Sequence, residues 1–113
     1  MILSALKAQN YALALDTAEA ELAIITNSAL NHYYAAWACD GLGQENRAIP
    51  HYEKAIALGL PDADLKEAYL GLGSTYRVTG NYQQAYDLLT QAVAHFPNDR
   101  ALQVFYALAK YSM

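Results

Sequence analysis

The chain has little charge and a single cysteine among its 113 residues, and each shortage excludes a class of function or site. Only 16% of the residues are charged, and the 7 lysines and arginines are scattered rather than clustered. Nucleic-acid binding and docking on an anionic membrane both need clustered positive charge, so neither is expected. A single cysteine, Cys39, cannot form an internal disulfide or a metal cage, which favours a reducing, cytoplasmic location.

Long hydrophobic runs are also missing. The uninterrupted apolar stretches, such as residues 22–25, are only a few residues long, whereas a helix that spans a bilayer needs roughly 20. The segment 1–7 has no basic start and too short an apolar stretch for a secretion signal. No association with a membrane is therefore expected.

Alanine and tyrosine are abundant instead. Apolar residues make up 55% of the chain, much of it alanine, and there are 10 tyrosines. Alanine lets helix backbones approach closely, and tyrosine fills gaps while its hydroxyl reaches water. This composition is typical of closely packed helices.

The same short pattern occurs three times. Residues 43–48 (Gly-Gln-Glu-Asn-Arg-Ala) recur 37 positions later at residues 80–85 (Gly-Asn-Tyr-Gln-Gln-Ala). Residues 9–14 have the same layout with glutamine in place of glycine, and they begin 34 positions before Gly43. Self-similarity at such a period indicates a helical repeat protein.

Each of these blocks lies between two helical stretches. Residues 29–42 are mostly apolar or aromatic, and residues 47–58 place apolar side chains on one helix face. Gly43 and Gly80 end the first helix of each pair, where the backbone needs a left-handed residue. Pro50 would lie inside the second helix, which we expect to begin near residue 46.

Prolines mark the predicted ends of the second helices. Pro61 and Pro97 cannot continue a helix and are expected to stop it. Asp62 and either Asn98 or Asp99 then provide a cap for the helix that follows. The short connections predict antiparallel helix hairpins.

Residues 69–76 read Tyr-Leu-Gly-Leu-Gly-Ser-Thr-Tyr, and residues of characteristic size follow at Gly80, Ala85, Leu89, Ala92 and Pro97. This pattern resembles the signature of the tetratricopeptide repeat family, and the chain is also similar to small bacterial members of that family. The segment 29–62 is a looser copy, in which Cys39 replaces the second tyrosine. The resemblance implies an all-α superhelix of antiparallel helix hairpins.

The resemblance covers essentially the whole chain as a single domain, 1–113. It divides the chain into a partial unit at 1–28, full units at 29–62 and 66–99, and the first helix of a further unit at 100–113.

Members of the family line a concave groove with their first helices and are non-catalytic protein-interaction modules, so the partner is expected to be a protein or peptide. The groove residues implied by the repeat register are Tyr33, Trp37, Asp40, Leu70, Ser74, Arg77, Val104, Leu108 and Tyr111. This surface is mainly apolar, so an apolar or amphipathic peptide segment is the expected ligand. Only Arg77 is placed to hold a carboxylate, which disfavours the recognition of chaperone tails seen in some members. Trp37 is either an exposed anchor or an ordinary core residue.

Side chains that could support catalysis are not arranged for it. His32, His51 and His95 lie in different helices without metal-ligand spacing, and Cys39 takes a position that the family buries. Residues 71–73 lie within a helix and do not form a phosphate loop. We therefore expect no enzyme activity, no metal and no cofactor.

Apolar residues near both ends leave alternatives open. Residues 1–3 are apolar, and the last helix carries Val104, Phe105, Tyr106, Leu108 and Tyr111. We expect a homodimer, in which a second copy covers these faces, and further repeats of a longer array are the alternative that would also cover them. The alternatives to a peptide-binding module are therefore a self-associating structural protein and a regulatory domain of a longer protein.

Overall fold

The computed structural model describes residues 2–113, and these residues form seven α-helices in two compact units. Unit 1 extends to Leu60 and unit 2 begins at Pro61. The prediction of an all-α protein is confirmed. Met1 lies outside the described residues, and the predicted repeat boundaries stay predictions.

Unit 1 contains four helices: α1 (Ile2–Lys7), α2 (Tyr11–Ile24), α3 (Ala29–Gly41) and α4 (Glu45–Leu58). Helix α3 packs on both α2 and α4, and α1 packs on α2 and α3. Apart from Cys39, the buried hydrophobic side chains of this unit that have no exposed surface are all alanines: Ala14, Ala18, Ala35, Ala36, Ala38, Ala48 and Ala55.

Unit 2 contains three helices: α5 (Asp62–Val78), α6 (Tyr82–His95) and α7 (Arg100–Ser112). Each of the three packs against the other two. Gly73 on α5 lies where a β-carbon would come within 3.0 Å of the Leu89 side chain on α6, and Leu89 itself is fully buried. A larger residue at position 73 would therefore push α5 and α6 apart.

The predicted glycine turns are confirmed. Gly43 and Gly80 have φ angles of 72° and 82°, in the left-handed region. After each glycine, the next backbone N–H donates to a carbonyl five residues back: Gln44 to Cys39 at 2.8 Å and Asn81 to Tyr76 at 2.7 Å. These bonds satisfy carbonyl groups that the helix end would otherwise leave unpaired.

Two predictions about helix ends are wrong. Helix α4 ends at Leu58, three residues before Pro61, because Gly59 turns the backbone with a φ of 98°. Pro61 instead precedes α5, so Asp62 is the first residue of that helix rather than its cap. At the next helix the prediction is confirmed for Asp99, whose carboxylate accepts from the Leu102 N–H at 3.0 Å.

Helix α4 begins at Glu45, one residue before the predicted start. Pro50 therefore lies in its second turn, where it removes one backbone donor without ending the helix.

The turn between α1 and α2 has the same backbone geometry as the two glycine turns, but a glutamine takes the place of the glycine. Gln9 has a φ of 61°, and Asn10 N–H donates to the Ala5 carbonyl at 2.8 Å, as Gln44 and Asn81 do in their turns. The left-handed conformation brings the β-carbon of an L-residue close to a carbonyl oxygen. This turn is therefore built like the other two but is strained.

Replacing Gln9 with glycine should stabilise unit 1. We expect Gln9→Gly to raise the free energy of unfolding by about 1 kcal/mol, because the left-handed conformation no longer costs the β-carbon contact. The reverse change, Gly80→Gln, should lower it by a similar amount. Urea unfolding followed by circular dichroism measures both effects. Gln44→Gly is the matched control, since Gln44 has a φ of −102° and gains nothing from glycine; an equal gain there would contradict this explanation.

Candidate functional site

An aromatic cluster lies on α3 in unit 1. The Tyr33 ring centroid is 5.7 Å from that of Tyr34, 6.1 Å from that of Trp37 and 6.4 Å from that of Tyr52 on α4. Tyr33 is only 7% exposed, whereas Tyr34 and Trp37 are half-buried. Tyr33, expected from the repeat register to line a groove, therefore lies beneath the surface, and Trp37 offers part of its indole to solvent.

Asp40, also expected on the groove, is engaged in an internal hydrogen bond. The Tyr52 hydroxyl donates to Asp40 Oδ2 at 2.5 Å. Burial raises the pKa of the Tyr52 phenol well above its ordinary range, and the nearby Asp40 carboxylate raises it further. Tyr52 therefore stays protonated and acts as a donor that ties α4 to α3.

Three predicted site residues lie on one face of α5 in unit 2. Leu70, Ser74 and Arg77 follow one another at helical spacing, and all three are half-buried. Arg77 Nη2 donates to Ser112 Oγ at 3.1 Å, and Ser112 Oγ donates to the Leu108 carbonyl at 3.0 Å. The C-terminal ends of α5 and α7 are thereby joined. The Nε atom of Arg77 is buried without a hydrogen-bond partner.

The remaining three predicted site residues form an exposed stripe on α7. Val104, Leu108 and Tyr111 are 52%, 43% and 93% exposed, and their spacing places them on one helix face. The opposite side of α7 is anchored by Leu102 and Ala109, which are buried. We call Val104, Leu108 and Tyr111 the α7 stripe.

The apolar residues near both chain ends had been expected to lack cover within one chain, but some of them are buried or half-buried. Ile2 is buried, and Phe105 and Tyr106 are half-buried. The Tyr106 ring stacks on Tyr86 of α6, with centroids 5.8 Å apart. On α7 the exposed apolar surface is therefore concentrated in the α7 stripe.

The connection between α6 and α7 borders a surface depression of about 390 Å³, away from the predicted site residues. Two of the side chains that line it already have partners. Lys66 Nζ lies 3.9 Å from Asp99 and 5.0 Å from the Phe96 ring centre, and His95 Nε2 lies 3.8 Å from Asp62. These contacts indicate a structural role for the depression.

One arrangement was missed by reasoning from the sequence. His32 and His51 were expected to be unrelated, but their Nδ1 atoms are 3.0 Å apart. His32 lies on α3 and His51 on α4, on either side of the turn at residues 42–44, and an antiparallel hairpin brings its two helices side by side. Their placement on the two helices of one hairpin was the signal available in the sequence.

Cys39 is fully buried, in agreement with the sequence, and burial raises the pKa of its thiol. A protonated, inaccessible thiol is a poor nucleophile. Within residues 2–113, no three histidine, cysteine or acidic side chains are grouped so that they could hold a metal ion. In the same range, no helix is both long enough and apolar enough to cross a bilayer.

Comparison with known proteins adds two findings. The sequence profile of the family described as "Tetratrico peptide repeat" matches residues 29–113. Solved structures also match, among them the TPR domain of Sgt2 from Aspergillus fumigatus, with a TM-score of 0.82. That likeness covers 98% of this chain and 73% of the other at 19% identity, and it therefore concerns the fold alone. No protein among those with curated functions matches the chain.

The hydrogen bond between Tyr52 and Asp40 should contribute measurably to stability. We expect Tyr52→Phe to lower the free energy of unfolding by about 1–2 kcal/mol, because the half-buried carboxylate loses a donor. Asp40→Asn keeps an acceptor for the phenol and should cost less. Thermal unfolding of both variants at neutral pH measures the difference; an equal or larger loss in Asp40→Asn would contradict this account.

Proposed function

Because the chain belongs to the tetratricopeptide repeat family, we propose that it binds an apolar or amphipathic segment of another protein on the first helices of its hairpins. Repeats of this fold are typically non-catalytic protein-interaction modules, since stacked hairpins leave extended surfaces for a partner. The first helices by repeat register are α1 and α3 in unit 1 and α5 and α7 in unit 2.

The observation that carries the proposal is the α7 stripe. Three apolar side chains on one helix face, one of them a tyrosine that is 93% exposed, form a surface that is unfavourable in water. A partner that covers them gains the free energy of removing apolar area from water. Tyrosine is also enriched among the residues that dominate binding energy.

The neighbouring face of α5 suggests what the partner carries. Arg77 is the only cation among the predicted site residues, and its hydrogen bond to Ser112 holds its guanidinium group beside α7. An amphipathic segment that places apolar side chains on the α7 stripe and an acidic side chain near Arg77 would match this surface in both polarity and charge. Leu70 and Ser74, on the same face of α5, would add contact area.

Unit 1 supports the same function through Trp37. Its indole is half-buried on Tyr33, so it is held in place and still offers surface to a ligand. A rigid aromatic loses little conformational freedom on binding. In this proposal Tyr33 and Asp40 act indirectly, since Tyr33 supports the indole and Asp40 accepts from Tyr52.

The affinity of peptides that are selected for binding to the chain should depend on these residues. We expect a random-peptide display library to yield apolar or amphipathic sequences, and Leu108→Ala, Tyr111→Ala and Trp37→Ala to weaken binding of some of them about tenfold or more each. Titration calorimetry measures the affinities of all three variants.

Lys110→Ala is the matched control, because Lys110 is exposed on another face of α7. Circular dichroism should show unchanged helix content in all four variants. Peptides that bind every variant as tightly as the unaltered chain, or a selection that yields none, would contradict the proposal.

The same stripe favours self-association as a second candidate function. A second copy of the chain could cover Val104, Leu108 and Tyr111 as well as a peptide could, and no foreign ligand would then be required. Burial of apolar surface between two copies would also stabilise the folded chain as its concentration rises.

Light scattering over a range of concentrations separates the two candidates. A peptide-binding module should remain near the chain mass of 12.4 kDa, and a self-associating protein should approach twice that value. In the second case Leu108→Glu should restore the monomer mass, because it places a charge in the covered stripe. A dimer that Leu108→Glu leaves intact would show that another surface holds it.

A further inference from the structure

His32 links three segments of unit 1 through hydrogen bonds. His32 Nε2 lies 2.9 Å from the Thr26 carbonyl oxygen, and His32 Nδ1 lies 3.0 Å from His51 Nδ1. Thr26 belongs to the connection between α2 and α3, His32 lies on α3, and His51 lies on α4. The imidazole of His32 therefore ties the α2–α3 connection to α4.

The hydrogen-bond network determines where the protons are. A carbonyl oxygen can only accept, so His32 Nε2 carries a hydrogen and donates to Thr26. Neutral His32 then has a lone pair on Nδ1, and His51 Nδ1 must donate to it. The remaining nitrogen of His51, Nε2, is the one that carries no hydrogen while the pair is neutral.

The geometry suits a proton between the rings rather than a metal ion. The ring centroids are 5.2 Å apart and the two Nδ1 atoms are 3.0 Å apart. The difference is about what the distances from each centroid to its own nitrogen add up to. Both nitrogens therefore lie close to the line that joins the ring centres. Two ligands of one metal ion would instead direct their lone pairs at a third point.

We propose that Thr26, His32 and His51 form a proton-operated latch, which holds the α2–α3 connection on α4 at neutral pH and opens in acid. One added proton leaves the bond between the rings in place, because a charged ring can still donate to a neutral one. When both rings are charged, both Nδ1 atoms carry hydrogens, and two N–H groups face each other at the distance of a hydrogen bond. The rings must then separate, and His32 cannot turn away without losing the Thr26 carbonyl.

Charged groups around the pair largely offset each other. Glu19 on α2 and Arg47 on α4 act on His51 in opposite directions, and they pair with each other at 2.9 Å. Both are about half exposed, at 46% and 49%, so solvent screens them. The balance of charge near His51 is therefore close to neutral, and the facing His32 ring is the main polar neighbour.

The pKa of His51 indicates the pH range of the latch. Burial, and then the neighbouring His32, lower it below its ordinary value of 6.5. The folded chain thus favours the neutral form of His51. The contribution of neutral His51 to the free energy of unfolding is complete above pH 6.5 and is lost as the pH falls through the lowered pKa. Acid therefore opens the latch, and alkali does not.

Opening would release a connection that borders exposed apolar residues. Ile24 and Ile25, just before Thr26, are 83% and 63% exposed. Helix α3 also carries Trp37, so in a chain that binds ligand there, as proposed above, acid should weaken binding. Only this last consequence rests on the proposed function; the latch itself is tested without any ligand.

Thermal unfolding of the full chain at pH 7.5 and pH 5.5 tests the latch. His51→Asn places an amide nitrogen where Nδ1 was, so it can still donate to His32 but cannot titrate. We expect the unaltered chain to lose several degrees of Tm between the two pH values and His51→Asn to lose much less. His95→Asn is the matched control, because His95 is half exposed on α6 in unit 2, and it should behave like the unaltered chain.

Nitrogen-15 NMR of the unaltered chain provides a second test that needs no variant to fold. At pH 7.5 the hydrogens should be found on His51 Nδ1 and His32 Nε2, and the Thr26 and Asn27 amide signals should shift in step with the second protonation. The proposal is overturned if His51→Asn keeps the full loss of Tm in acid. It is also overturned if the opposite tautomers are found, or if those amides do not respond.

Discussion

The close packing of antiparallel helices through very small side chains is the constraint on which the rest of this structure depends. In unit 1, Ala36 on α3 and Ala48 on α4 have no exposed surface, and in unit 2 the Leu89 side chain occupies the space that a β-carbon on Gly73 would need. Helices that approach so closely bring polar groups of neighbouring segments within hydrogen-bond distance. The bonds from Tyr52 to Asp40 and from His51 to His32 follow from that approach.

The backbone plan of the chain could be predicted because local chemistry decides it. Gly43 and Gly80 end their helices wherever these pack, since a left-handed residue is needed there and glycine adopts it most readily. The prediction that Pro61 ends α4 was wrong for an equally local reason. A proline starts a helix as readily as it stops one, and Gly59 had already ended α4. Where a glycine and a proline lie so close together, the sequence alone does not show which of them ends the helix.

The exposure of individual side chains was harder to predict, because repeat register gives the direction of a side chain but not the reach of its neighbours. Tyr33 was expected to line a groove, but the rings of Tyr34, Trp37 and Tyr52 lie around it. Asp40 was expected there too, and it accepts a hydrogen bond from a phenol of the next helix. On α7, Val104, Leu108 and Tyr111 are exposed, because no later helix among the described residues packs over them.

The two candidate binding surfaces therefore differ in what can modulate them. Trp37 rests on Tyr33, and Tyr33 contacts Tyr52 of α4, so any change in how α4 packs on α3 reaches the indole. The histidine pair spans that same α3–α4 packing, whereas the α7 stripe lies in unit 2, where His95 is exposed and interacts only weakly with Asp62. The proposed latch therefore acts on the surface of α3 and not on that of α7. In a chain with only three histidines, this asymmetry follows from where the hairpin turn places two of them opposite each other.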